Sequence, residues 1–143
     1  MHRFKENVKY DIGLIQVVAT HGTATCTGHP VDMQKYNNFC GLIAGGIGLG
    51  TNNVGSFVAY IAESTDSLTF STNYLATSAT IATATGTAKG YGDSVECRAE
   101  QMSDGYRYLR VEVRPSVTGT SNLVVIGNLR FNSRYPQATL PTP

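Results

Sequence analysis

The chain has 143 residues and a mass of 15.3 kDa, the size of one domain. A chain of that length removes roughly 68–70% of its unfolded surface from water, so it can hold a core without a metal or disulfide staple. Eleven Lys+Arg oppose ten Asp+Glu, and only 15% of residues are charged, where about 25% is usual. This argues against a nucleic-acid partner, which needs a basic patch to displace counterions, and against a disordered acidic tail.

Thr, Gly, Ser and Ala are abundant, and there are eight Tyr but no Trp. That composition favours strands and turns over helices. Three cysteines, Cys26, Cys40 and Cys97, cannot complete a disulfide framework and are expected as reduced, mostly buried thiols of a protein assembled inside a cell. The first ten residues, MHRFKENVKY, are charged and polar where a secretory leader would be apolar, so no leader is expected. The most apolar stretch, Phe39 to Leu49, is rich in glycine and far short of the ~20 residues that span a bilayer. No membrane partner is expected.

In chain order, Met1 to Lys9 is polar and expected as an N-terminal arm. Ile12 to Ala19 (IGLIQVVA) is β-branched and contains Gly13, so a strand is expected over a helix. A short strand is expected near Val31-Asp32-Met33, then longer ones at Tyr36 to Ala44 and Ser56 to Glu63, joined through the glycine-rich Gly45 to Gly55. Ser78 to Thr85 is a Thr/Ala strand ended by Gly86. Ser94 to Glu100 turns Val95, Cys97 and Ala99 inward, and Tyr106 to Arg114 turns Leu109, Val111 and Val113 inward. With Ser103-Asp104-Gly105 between them, these two are expected to pair as a hairpin. Leu123 to Phe131 is the last strand, apolar on both faces: Leu123, Val125, Leu129 and Phe131 on one, Val124 and Ile126 on the other before Asn128 and Arg130. Cover by the chain's own arm is expected first, and contact with another subunit is the alternative.

About eight short strands separated by turns describe an all-β, single-domain antiparallel β-sandwich or barrel. The expected domain runs over 10–134, between the N-terminal arm 1–9 and a proline-rich C-terminal arm 135–143 (YPQATLPTP).

Chemistry is sparse. Gly45-Gly46-Ile47-Gly48-Leu49-Gly50 lacks the dinucleotide spacing and any following Lys-Ser/Thr, and leads into a strand, so no phosphate loop is expected. His21, Cys26, His29 and Cys40 stand in the wrong order for a structural zinc site. Glu63 and Asp66 flank Ser64-Thr65 as turn formers, not as a glycosidase pair. No nucleophile elbow occurs. No catalytic residue, cofactor or metal is expected. Sugar binding is a serious competitor, since sugar sites use exposed aromatics. Trp, the better platform, is absent, and Tyr106, Tyr108 and Tyr135 cluster near basic residues, which suits protein contact at least as well.

Three segments carry a family resemblance. They are Pro30-Val31-Asp32-Met33-Gln34-Lys35-Tyr36-Asn37, Ile61-Ala62-Glu63-Ser64-Thr65-Asp66-Ser67, and Tyr106 to Val113 followed by Arg130 to Pro136. From about Val31 to Pro136 the chain resembles the small β-sandwich virion proteins of tailed bacteriophages, in particular the jelly-roll cement, or decoration, proteins of the outer capsid. The resemblance implies a jelly-roll fold, no enzymatic activity, the major capsid protein as partner, and association as a dimer or trimer. It implies location on the virion after assembly in a bacterial cytoplasm. The contacts expected from it are the two arms, with Arg3, Phe4, Arg134 and Tyr135, and surface positions Tyr108, Val124, Ile126 and Arg130. The alternatives are a lectin-like adhesion module and a tail or head-completion protein.

Overall fold

The computed structural model describes residues 8–18, 25–47, 54–83, 89–118 and 122–133. Ten strands follow one another: β1 (Val8–Val18), β2 (Cys26–Thr27), β3 (Val31–Asp32), β4 (Tyr36–Ile47), β5 (Val54–Ser64), β6 (Ala76–Thr77), β7 (Ile81–Thr83), β8 (Lys89–Arg98), β9 (Tyr108–Thr118) and β10 (Asn122–Ser133). A 3-10 turn, Ala99–Gln101, sits between β8 and β9. Among the described residues no helix is long and apolar enough to cross a membrane.

Two antiparallel sheets form a sandwich. One has the order β1-β10-β4-β8; in the other β9 and β5 are central, with β2 and β3 on the outer side of β9 and β6 and β7 on the outer side of β5. Taking β2 with β3, and β6 with β7, as interrupted single strands leaves eight positions, ordered 1-8-3-6 in one sheet and 2-7-4-5 in the other. Every step along the chain then changes sheet except that from the fourth to the fifth. This is the jelly-roll arrangement, and the all-β sandwich expected from the alternation is what the chain adopts.

Both faces that look between the sheets are apolar. Phe57, Ala59 and Ile61 of β5 and Leu109, Val111 and Val113 of β9 face Phe39 and Ile43 of β4, Val95 and Cys97 of β8, and Val124 and Ile126 of β10. Phe57 stacks on Tyr91 across the gap, ring centroids 4.1 Å apart. Gly41 lies in this layer, where a Cβ would overlap Val111 Cγ2 of the opposite sheet.

Several expectations change. The segments around Val95 and Val111 do not form a hairpin: β8 pairs with β4, and β9 pairs with β5 in the other sheet. Alternation tells which face of a strand is buried, but two strands facing one core from opposite sides alternate identically. The residues between Arg98 and Tyr108 are numerous enough to cross the ~10 Å between sheets. The turn itself forms, with Tyr106 N–H donating to Ser103 O and Gly105 at φ 80°.

The strand expected over 78–85 is broken. Ser78 Oγ accepts the N–H of Ala59 while Ser78 N–H donates to Ala59 O, so a side chain replaces the ladder between β6 and β7. Ala84, Thr85 and Gly86 lie outside the described residues, as does most of the glycine-rich stretch, 48–53. Ile12 to Val18 is strand, with a register shift that passes over Gly13. Val8 and Lys9, expected in the arm, pair with Phe131 and Arg130. The remainder of both arms lies outside the described residues.

The face assignment of β10 is corrected. Val124, Ile126 and Asn128 are fully buried and Arg130 is 7% exposed, so the face expected to be a contact surface is the inner one. Arg130 Nη1 donates to Asp32 O at 2.8 Å, Nη2 pairs with Asp11 Oδ2, and the guanidinium lies 5.1 Å from the Tyr36 ring centroid. Asn128 Nδ2 donates to His29 O. Polar residues on a strand read as solvent-facing unless buried partners are known, and these partners come from segments about a hundred residues away.

Candidate interaction surface

The two outer faces of the sandwich differ. On the β9/β5 sheet, alternation turns Tyr108, Arg110, Glu112 and Arg114 outward, and the 65–75 segment lies over them. Phe70 stacks under Arg110 at 4.0 Å, and Tyr74 meets Tyr60 at 4.5 Å. Arg114 lies over both tyrosine rings, at 4.9 and 5.1 Å. The buried Glu112 accepts from Arg110 Nε at 2.9 Å and from Tyr74 Oη at 3.2 Å. The chain itself covers the middle of this face, over Tyr60, Arg110 and Glu112, while Arg114 stays 46% exposed beside it.

The β1-β10-β4-β8 sheet has no such cover among the described residues. Register sets its outward side chains in rows across β10, β4 and β8: Phe131, Asn38 and Arg98; then Leu129, Cys40 and Glu96; then Gly127, Leu42 and Ser94; then Val125, Ala44 and Gly92. Tyr10 of β1 joins the second row beside Leu129, and its ring lies across Gly127, where a Cβ would come within 3.0 Å of Cε2. Tyr10 is 55% exposed and Leu42 41%, Ala44 is exposed, and Val125, Leu129 and Phe131 are half-buried. The centre of the face is apolar, and the charges, Glu96 and Arg98, stand along β8 at its margin. An apolar centre inside a polar rim is the anatomy of a protein-binding face.

At one end of this face the surface deepens. A cleft of about 690 Å³ is lined by Asn37, Asn38, Arg98, Ala99, Glu100 and Asn132. A second of about 340 Å³ shares Asn38 and Arg98 with it and includes Phe131.

Of the contact residues expected from sequence, Arg3, Phe4, Arg134 and Tyr135 lie outside the described residues. Val124, Ile126 and Arg130 point inward, and Tyr108 is half-buried at the start of β9, beside Arg107, on the other sheet. The open face is made instead by Tyr10, Leu42, Ala44, Val125, Leu129 and Phe131. The sequence carries a signal for it: β4 and β10 are apolar at both parities, which one buried face alone does not require.

The other candidates hold structural positions. Glu63 is buried, and its carboxylate accepts the N–H of Ser103 at 2.9 Å and its Oγ–H at 2.5 Å. Asp66 accepts the N–H groups of Thr69 and Leu68, which hold its carboxyl below the usual range. The side-chain hydrogen bond from Arg107 does the same for Asp32. Cys26 is in the core on β2, and Cys40 is on β4 of the other sheet; His21 lies outside the described residues. Among the described residues no three His, Cys, Asp or Glu are grouped to hold a metal.

All three cysteines are buried. Burial pushes the Cys97 thiol to about 12, helped by the charge of Glu63, and the Cys40 thiol to about 11, helped by Glu96; Cys26 is also raised. A thiol held two units above its ordinary value carries about a hundredfold less thiolate at neutral pH. Native protein treated with an aromatic disulfide reagent at pH 8 should therefore label far more slowly than the chain unfolded in urea. Rapid native labelling of Cys40 or Cys97 would contradict the packing described.

No protein-family model matches the chain, and no curated protein matches it. Among solved structures, the crystal structure of the PBSX exported protein XepA aligns with 94% of this chain at 16% identity and a TM-score of 0.43. The alignment takes in 41% of that chain, so this protein spans less than half of its length.

Proposed function

We propose that this protein is a non-enzymatic virion structural protein, a capsid cement protein that binds the outside of a tailed-phage head and bridges major capsid protein subunits. The observation that carries the reading is the open apolar face of the β1-β10-β4-β8 sheet, when the opposite face is capped by the chain's own 65–75 segment. Aligned apolar side chains with charge only at the margin fit a protein partner better than nucleic acid or an acidic surface. The jelly-roll supplies rigidity, and the sequence resemblance to cement proteins supplies the capsid. Copies at symmetry-related positions multiply modest contacts through avidity, and dimers or trimers of the protein fit that use. Arg3, Phe4, Arg134 and Tyr135 in the flanking segments add contacts beyond the face. Reduced thiols accord with assembly in a bacterial cytoplasm.

The test is occupancy on particles that lack the protein, after incubation with purified variants. Leu42→Glu places a charge at the centre of the face, at a position already 41% exposed. Its folded stability should change by less than about 0.5 kcal/mol. Burying that unpaired carboxylate on docking should lower apparent affinity by at least about tenfold, and Leu42→Glu with Leu129→Glu should abolish binding. Occupancy equal to wild type for the double variant sinks the proposed face.

A further inference from the structure

The cleft at the end of the open face has a composition that docking to an apolar partner does not call for. Three strands meet there: β4 begins with Tyr36 and brings Asn37 and Asn38, β8 ends at Arg98 and leads into Ala99 and Glu100, and β10 brings Phe131 and Asn132. Register sets Phe131, Asn38 and Arg98 side by side on the outer face. Asn132 stands opposite Asn37, between the pairs Phe131–Asn38 and Ser133–Tyr36. It holds φ at 58°, in the left-handed region that few non-glycine residues adopt. Asn132 lines the cleft with Asn37 and Asn38.

We propose that this cleft binds a neutral sugar of monosaccharide size, a hexopyranose unit. Its volume, about 690 Å³ with about 340 Å³ adjoining, lies in the range of small-molecule sites. The three asparagines each offer two N–H donors and a carbonyl acceptor, the mixed set that vicinal hydroxyls require. Arg98 and Glu100 stand 3.3 Å apart with side chains 72% exposed, and add a planar donor fork and a two-oxygen acceptor. Half-buried Phe131 supplies an aromatic surface for the C–H face of a pyranose ring. Charge selects the ligand class: Arg98 stands between Glu100 and Glu96, so the cleft favours neither an anion nor a multiply charged cation. The cleft adjoins the proposed docking face and shares Phe131 with it, but the proposal does not depend on docking to the capsid, and its test uses the free protein.

The experiment is NMR titration of isotope-labelled full-length protein with a panel of neutral methyl hexopyranosides and, in parallel, with triglycine. The expected result is saturable shifts of the Asn37, Asn38 and Asn132 side-chain amides and the Phe131 ring with at least one sugar, at a millimolar dissociation constant. Asn132→Gly keeps the left-handed backbone and removes only the amide, and should weaken that binding at least fivefold with the rest of the spectrum preserved. Arg98→Ala should do the same. No saturable shift with any sugar overturns the proposal, as does binding indifferent to both substitutions. Shifts caused by triglycine and not by sugars overturn it in favour of a peptide groove.

Discussion

Gly41→Val should lower the melting temperature of this protein more than any other single change at a non-polar position, and Val111→Ala should restore part of the loss. Gly41 is buried on the inner face of β4, flanked by Asn128 of β10 and Val95 of β8. Val111 of the opposite sheet fills the space that a Gly41 side chain would occupy: a Cβ there overlaps its Cγ2 and lies 3.4 Å from Val95 Cγ1. Neither neighbour yields easily, because valine is stiff at χ1 and both side chains are fully packed. Overpacking of this kind costs about 1–3 kcal/mol for one added methyl and more for an isopropyl group. For a domain of this size each kcal/mol corresponds to roughly 3–5 °C. The milder Gly41→Ala should therefore fall by about 5–10 °C, and Gly41→Val further. In the Gly41→Ala, Val111→Ala pair one methyl is added on one sheet and two are removed on the other. The pair should be more stable than the sum of the single losses by about 1 kcal/mol or more. Strict additivity would mean that the sheets do not meet at this point.

Arg130→Met should destabilise by about 2–4 kcal/mol and loosen the start of β1 first. The guanidinium is almost fully buried and joins three segments: β10 that carries it, β3 through Asp32 O, and β1 through Asp11. Methionine replaces the packing volume but not the bonds, leaving the Asp32 carbonyl and the Asp11 carboxylate without their donor. Breaking a buried pair from one side costs about 3–5 kcal/mol, and the lower range applies here because Asp11 is 37% exposed and can recover water. Asp11→Ala strands the charge that cannot reach water. Among the described residues Arg130 Nε already lacks a hydrogen-bond partner, so little compensation is at hand. Hydrogen exchange should show faster exchange at Val8 to Asp11 in both variants, while β5 and β9 change only with global stability. The double variant should lose less than the two singles combined. If β1 exchanges as in wild type, Arg130 is not what holds that edge strand.

Legibility in the sequence follows the physics of alternation. Leu109, Val111 and Val113 are assignable to the core because one face of β9 is purely apolar and the other purely polar, and all three are fully buried. The same rule fails on β10, whose two faces are both apolar at the start. There parity is undetermined until the partners of Asn128 and Arg130 are known, and these come from His29, Asp32 and Asp11. Pairing is less legible than burial. Sheet membership in a jelly-roll depends on contacts between segments far apart in sequence, so the β8–β9 turn resembles a hairpin while its arms join different sheets. Apolar residues at both parities of β4 and β10 signal a second apolar face but do not assemble it. Assembly requires the register that aligns Tyr10, Leu129, Leu42 and Val125 across three strands.

The direct test of a cement role is a near-residue reconstruction of tailed-phage heads assembled in the presence of the protein. The chain is expected on the outer capsid surface with the β1-β10-β4-β8 sheet turned toward the major capsid protein, and Tyr10, Leu42 and Leu129 buried in the contact. Absence of the chain from heads, or its presence with Leu42 and Tyr10 facing solvent, would contradict that role.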